Sequence, residues 1–280
     1  MKLQKRGSPY SAFTALYLMV VTGLVVLLGV VMIPALAKTK PDVRTLQCLE
    51  NHRRLILAWR MYSQDNAGTV AANGTAVGPA IARPLPWAAG WLDWSTAKDN
   101  TNILLLIDSR YASLAPYVRG AAGIFRCPSD TVVSAAQSAM GWTRRARSCS
   151  ASIWVGNDDP WWPRPLPPEP VYKQIRKDSE LLNPTPGETW VHLDEHPYSI
   201  NDDAFLSPSS NRWSSVPATY HNRGGSFAFA DGHCEIHRWQ GSLTLLPQIL
   251  SQTSPIPAPP GDPDLHWVAY HTARLSSASY

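Results

Sequence analysis

Between Asp194 and His233 the chain gathers most of its potential metal ligands and acid–base groups: Asp194, Glu195, His196, Asp202, Asp203, His221, Asp231 and His233. Carboxylate oxygens combined with imidazole nitrogens suit a divalent cation. Asp194, Glu195, His196, His221 and Asp231 would hold a structural ion if the turn at Asp231 comes back to Asp194. An ion bound only by the folded chain adds its binding free energy to stability. That suits a loop-rich domain, although nothing in the pattern requires a cofactor. A plainer reading stays open, in which Asp231 shapes a turn, Asp202 and Asp203 cap a loop, and His221 donates a buried hydrogen bond. There is no HExxH, GxSxG, P-loop or Gly-rich dinucleotide motif, so no residue is given a catalytic role and the chain reads as a non-enzyme. Cys127 has no His nearby in sequence to serve as its base, which argues against a thiol nucleophile. Two other classes remain: a carbohydrate-binding module using Trp91 and Trp94, which otherwise read as half-buried core, and a metal-dependent hydrolase using the Asp/Glu/His group.

The elements that must position these groups are partly visible. Glu188 to Leu193 reads as a strand that delivers Asp194, Glu195 and His196 at its end. Asp231-Gly232 predicts a two-residue hairpin turn, since both positions accept positive φ. That turn pairs Phe229 with Cys234 and Phe227 with Ile236 on a core face, turns Ser226, Ala228, His233 and His237 away from it, and gives Cys234 a packing role. Upstream, Leu46, Leu49, Ile56 and Trp59 recur at helical spacing with Arg53, Arg54 and Arg60 off the stripe. The run ending at Gly68 is the stop of that amphipathic helix, and Pro41 is placed to bend or interrupt it. Residues 100–118 predict a shorter helical stretch ended by Pro116, and the Pro-rich runs 157–170 and 254–263 predict connectors, with a peripheral tail beyond.

Residues 12–37 carry no charged side chain, and about 20 apolar residues suffice to cross a bilayer core. Lys2, Lys5 and Arg6 precede this run, which predicts a single membrane pass with the N-terminus cytoplasmic and the globular head outside. Ala35-Leu36-Ala37 offers the alternative of a cleaved secretory signal. A chain of 280 residues with 12 Trp, 25 Pro and 16% charged residues then reads as one membrane segment and one loop-rich, β-containing head. The net charge of +4 is scattered apart from Arg144, Arg145 and Arg147, leaving no nucleic-acid footprint. Cys48, Cys127, Cys149 and Cys234 show no CxxC or zinc-finger spacing.

The basic leader followed by Ala12-Phe13-Thr14 and a long apolar run, with Pro34 at the family's kink position, resembles the N-terminal segment of type IV pilins and type II secretion pseudopilins. Cleavage and methylation at Ala12-Phe13 is what that resemblance implies. Ala12 stands where the family has Gly, and Tyr17 where it has Glu, which fits a minor or terminal subunit. Further blocks resemble the H-X9-DG group of prepilin-like proteins found in planctomycetes and verrucomicrobia: QCLENHRRLILAWRMYSQDNAG, PWAAGWLDW, LAPYV, FRCPSD, DEHPYSIND and His221 followed by Asp231-Gly232. The resemblance implies a pilin-like α+β fold, a long transmembrane N-terminal helix packed on an antiparallel sheet with large loop insertions. It divides the chain into a leader (1–12), a transmembrane half-helix (13–37), an amphipathic half-helix (38–67), a globular domain (68–253) and a Pro-rich linker with tail (254–280). It further implies an inner (cytoplasmic) membrane with a periplasmic head, and a structural role in a secretion or pilus-type envelope assembly, with membrane lipid and other pilin-like subunits or secretion components as partners. Cys48 and Cys127 both lie in matching blocks and are the disulfide pair it suggests.

Overall fold

The computed structural model describes residue 15 and residues 17–28, 42–74, 84–156, 172–208, 211–241 and 256–273. The chain divides into two compact units, Met1–Asp42 and Val43–Tyr280. In the first, residues 17–28 form helix α1, where the Thr22 hydroxyl donates to the Leu18 carbonyl at 2.7 Å. At about 1.5 Å per residue the described helical residues span roughly 18 Å, against the roughly 30 Å of a bilayer core. Among the described residues no helix is long and apolar enough to cross a membrane. This overturns both the long transmembrane N-terminal helix of the expected fold and the single-pass inner-membrane localisation. Asp42 is not helical, and a separate helix begins at Val43, two residues after Pro41, whose residue type cannot donate to a helical ladder. Tyr17 lies in α1 and is exposed; Ala12, Phe13 and Pro34 lie outside the described residues.

The second unit opens with α2, Val43–Asp65. Ala67 and Gly68 take positive φ of 52° and 78°, and the Gly68 N–H donates back to the Ser63 carbonyl at 2.8 Å, ending the helix where its stop was predicted. The buried side of α2 runs through Thr45, Cys48, His52, Leu55, Ile56 and Trp59. Leu46, expected on that stripe, is 53% exposed, so the first half of the buried stripe is polar. Short helices α3 (Leu104–Ile107), α4 (Ala115–Val118) and α5 (Ala135–Ala139) follow. Pro116, expected to end a helix, lies in the first turn of α4, where a missing N–H loses no intrahelical bond.

The strands are β1 (Cys149–Ser152), β2 (Trp190–Asp194), β3 (Ala204–Phe205), β4 (Arg212–Trp213), β5 (Gly224–Phe229), β6 (Cys234–Arg238) and β7 (Ile256–Pro257). Five form the main sheet in the order β3-β1-β2-β5-β6, and β4 pairs with β7. Because β3 runs parallel to β1, the sheet is mixed and not the antiparallel one expected. Both of its faces are covered. On one, α2 lies over β2, β5 and β6, and Leu55, Ile56 and Trp59 share a core with Ala151, Val191 and Ala228. On the other, Trp190, Leu193, Phe227 and Phe229 meet Trp239, Leu265 and Val268. The last two belong to helix α6, Pro263–Tyr270, so the stretch expected to be a peripheral tail closes the second core.

The β5–β6 hairpin forms with its register displaced by one residue from the expectation: Ala228 pairs with Cys234 and Ser226 with Ile236. Ala230, Asp231 and Gly232 make the loop, closed by the Phe229 N–H donating to the His233 carbonyl at 2.9 Å. Gly232 takes φ 101°, the positive-φ residue that a three-residue hairpin loop needs. Ser226 and Ala228 lie opposite Phe227 and Phe229 as expected, but that face is covered by α2 and is itself buried; the new register carries Cys234 to the α2 side with them. The β2–β5 register shifts between Trp190 and His192. An extra residue there re-phases the alternation, so that Trp190 and Leu193 both reach the aromatic core while Asp194 turns towards α2.

Candidate functional site

Four separate pieces of chain meet beneath the first half of α2. The helix supplies Cys48. Cys127 follows the 3-10 turn Ala122–Phe125, anchored by fully buried Phe125 and by its own N–H donating to Ser148 Oγ at 2.7 Å. Asp194 ends β2, and His221 sits in the loop entering β5, its N–H donating to the Gly224 carbonyl at 3.1 Å. Cys48 Sγ donates to Asp194 Oδ2 at 2.9 Å. Cys127 Sγ lies 3.3 Å from His221 Nε2, which lies 3.7 Å from Asp194 Oδ2. One donor atom from each of the four falls within 4.8 Å of all the others, and none of the four residues is more than 3% exposed.

A polar surround holds these groups. Thr45 Oγ1 pairs with His221 Nδ1 at 3.1 Å. Ser226 Oγ donates to Asp194 Oδ2 and lies 3.2 Å from Cys48 Sγ. The Ser129 N–H donates to Cys127 Sγ at 3.4 Å. His52 Nε2 stands 3.3 Å from Asp194 Oδ1, an ion-pair distance without hydrogen-bond geometry.

Burial alone would raise the Asp194 carboxyl, but His52, His221 and Cys48 hold it well below the usual carboxylate range. Burial likewise opposes the charged form of His221, yet its bonds to Asp194 and Cys127 outweigh that and push the imidazole up to about 9. Of the two thiols, burial and the neighbouring Cys127 and Asp194 drive Cys48 well up. Cys127, despite its burial, is drawn below the ordinary thiol value by Cys48 and His221. Of the two, Cys127 is thus the more acidic thiol and lies against the His221 ring, while Cys48 holds its proton more tightly. Chemically the cluster can act as a hydrogen-bonded thiol network, a thiolate–imidazolium pair, or the donor set of a divalent ion.

Of the residues expected to hold a cation, Asp194 and His221 meet here and three others do not. Glu195 is buried beside Ser199, whose hydroxyl donates to it at 2.8 Å, and burial pushes its carboxyl up to about 7. His196 Nδ1 accepts from the Tyr198 N–H at 3.1 Å. Asp231 lies beyond the far end of β5, in the hairpin loop, 2.6 Å from His233 Nδ1, with its carbonyl bonded by Arg60. The nine residues between His221 and Asp231 are thus the strand and its flanks, so the spacing encodes a β-strand's length and brings the two ends to different places. All four cysteines are free thiols; Cys48 and Cys127 meet, but as two thiols and not as a bridge. Cys127 has no His nearby in sequence, and the fold supplies one from 94 residues away. Thr45 and His52, not among the expected site residues, lie three and four residues from Cys48, a spacing that puts all three on one helix face. Trp91 is 39% exposed, whereas the Arg145 guanidinium caps the Trp94 ring at 4.1 Å, so the two do not share an open platform.

Comparison with protein-family models, with curated proteins and with solved structures finds no match for this chain.

Proposed function

We propose that the chain is a structural, non-catalytic protein, a pseudopilin-like component of a type II secretion or pilus-type envelope assembly. One observation carries this reading. QCLENH, FRCPSD, DEHP and the histidine of H-X9-DG, the blocks behind the resemblance, contribute Cys48, Cys127, Asp194 and His221 to a single sealed knot that joins α2 to the sheet. Residues kept from solvent in this way serve architecture, because no substrate reaches them. The Cys127–His221 pair is the feature that favours a thiol catalyst instead, and burial of Cys127 at 0% exposure weighs against it. Alkylation of the native chain should accordingly leave Cys127 unmodified; rapid modification of Cys127 would support the catalytic reading.

The partners this role calls for are other pilin-like subunits or secretion components. Leu46, Leu57 and Met61 on the solvent side of α2 are 53%, 47% and 43% exposed, surface that an assembly would cover. A photo-crosslinking residue at position 57, introduced into the full chain in the producing cells, tests this. A crosslink to a pilin-like subunit or secretion component is expected, and a chain that crosslinks to neither overturns the role.

A further inference from the structure

We propose that Cys48, Cys127, Asp194 and His221 bind one zinc ion in a closed tetrahedral site, oriented from outside by Thr45 and His52 of the same helix. This rests on the structural reading above and names the ligand of that site.

Zinc bonds of about 2.0–2.3 Å place neighbouring tetrahedral donors roughly 3.3–3.8 Å apart. The separations of 3.3 and 3.7 Å fall within that spacing, that of 2.9 Å is shorter, and all four donor atoms lie within 4.8 Å of one another, so modest side-chain shifts complete the geometry. Two sulfurs, one imidazole nitrogen and one carboxylate oxygen form a set that magnesium and calcium, which take oxygen ligands, do not favour. As a network of hydrogen bonds alone the cluster is poorly cemented, since sulfur is a weak donor and a weak acceptor. Asp194 Oδ1 and both His52 nitrogens are buried without a hydrogen-bond partner, a costly state for groups so removed from water. An ion satisfies the inner donors together and gives the outer groups a charged centre to orient.

The surround is arranged as a metal site requires. Thr45 Oγ1 engages Nδ1 of His221, which leaves Nε2 facing the cluster; on binding an ion that nitrogen gives up its proton and ligates, and an outer hydrogen bond of this kind holds the ring in place. His52 Nε2 stands 3.3 Å from Oδ1 of Asp194, close enough to donate to it after a small rotation, while Oδ2 faces Cys48 and His221. Thr45, Cys48 and His52 thus make one stripe of α2 that delivers a ligand and two positioning residues. Four protein donors leave no open coordination position, which is the mark of a structural site.

The test uses the full chain purified without chelator. Elemental analysis should find one zinc per chain. Cobalt exchanged into the site should give the intense visible bands of a tetrahedral ion and thiolate-to-cobalt bands in the near ultraviolet. Cys48→Ser should remove much of the thiolate band. Thr45→Val should weaken zinc binding about 10- to 100-fold in competition with a chromophoric chelator, with Thr45→Ser restoring it. A chain that neither carries nor takes up zinc or cobalt overturns the site, as does a Cys48–Cys127 disulfide seen in the intact mass of unreduced protein. Equal affinity in Thr45→Val and wild type overturns the positioning role alone. Missing metal with subunit crosslinks intact defeats this inference and leaves the assembly role standing; bound metal without crosslinks does the reverse.

Discussion

The two halves of α2 bury opposite kinds of surface against one sheet. From Leu55 to Trp59 the helix presents Leu55, Ile56 and Trp59 to a core that includes Val191 and Ala228, and burial of apolar area suffices to hold it there. From Thr45 to His52 the same face presents a hydroxyl, a thiol and an imidazole to Asp194, Ser226 and His221. Removing such groups from water is unfavourable unless each finds a partner. The lesson is that one end of the helix docks by exclusion of water and tolerates approximate chemistry, whereas the other docks by particular atoms.

Four measurements would break or sharpen that contrast. Trp59→Ala, at the apolar end, should cost about 3–5 kcal/mol in denaturant unfolding, by the same amount with and without chelator; a chelator-dependent cost would show that the two ends are not separable. Cys48→Ser, at the polar end, should lose the zinc-dependent stability, about 3–4 kcal/mol when free zinc is roughly 100 to 1,000 times Kd. With chelator present in both, that variant and the wild type should melt much closer together.

Asp202 gives the contrast a second form, as a buried carboxylate outside the cluster. Its carboxylate accepts from the Ala204 N–H at 3.0 Å, and burial pushes it up to about 6, the reverse of Asp194. A carboxyl whose folded value is raised binds its proton more tightly in the native state. Its stabilising contribution is therefore fully present below about pH 4 and is lost as pH rises through 6. Asp202→Asn should remove that loss, gaining on the wild type by up to about 2–3 kcal/mol between pH 4 and 7. A variant whose melting temperature tracks the wild type across that range would count against it. Smallest of all, Leu46→Gln on the exposed side should change stability by no more than about 0.5 kcal/mol; a larger loss in the isolated chain would mean that Leu46 is buried after all.

Much of the framework was legible because it is written in local patterns. The stop at Gly68, the strand that ends at Asp194 and the hairpin at Asp231-Gly232 each depend on backbone preferences of a few neighbouring residues. The hairpin register was not legible, since Asp-Gly serves a two-residue and a three-residue loop alike and one residue exchanges every cross-strand partner. The apolar run before Lys38 was read as one long membrane helix, yet helix is described over 17–28 and begins afresh at Val43. Hydropathy measures what a segment prefers to touch and does not require one unbroken helix through Asp42.

The candidate site shows the same division. Sequence by itself determined the donor types and, for Cys48 and His52, a shared helix face, because periodicity is a local property. Tertiary structure alone decided that Cys127 meets His221 across 94 residues, that Asp194 turns towards α2, and that Asp231 stays away. Those outcomes follow from a register shift in β2, from strand order and from the length of β5, which fix distances between residues whose separation along the chain carries no such information.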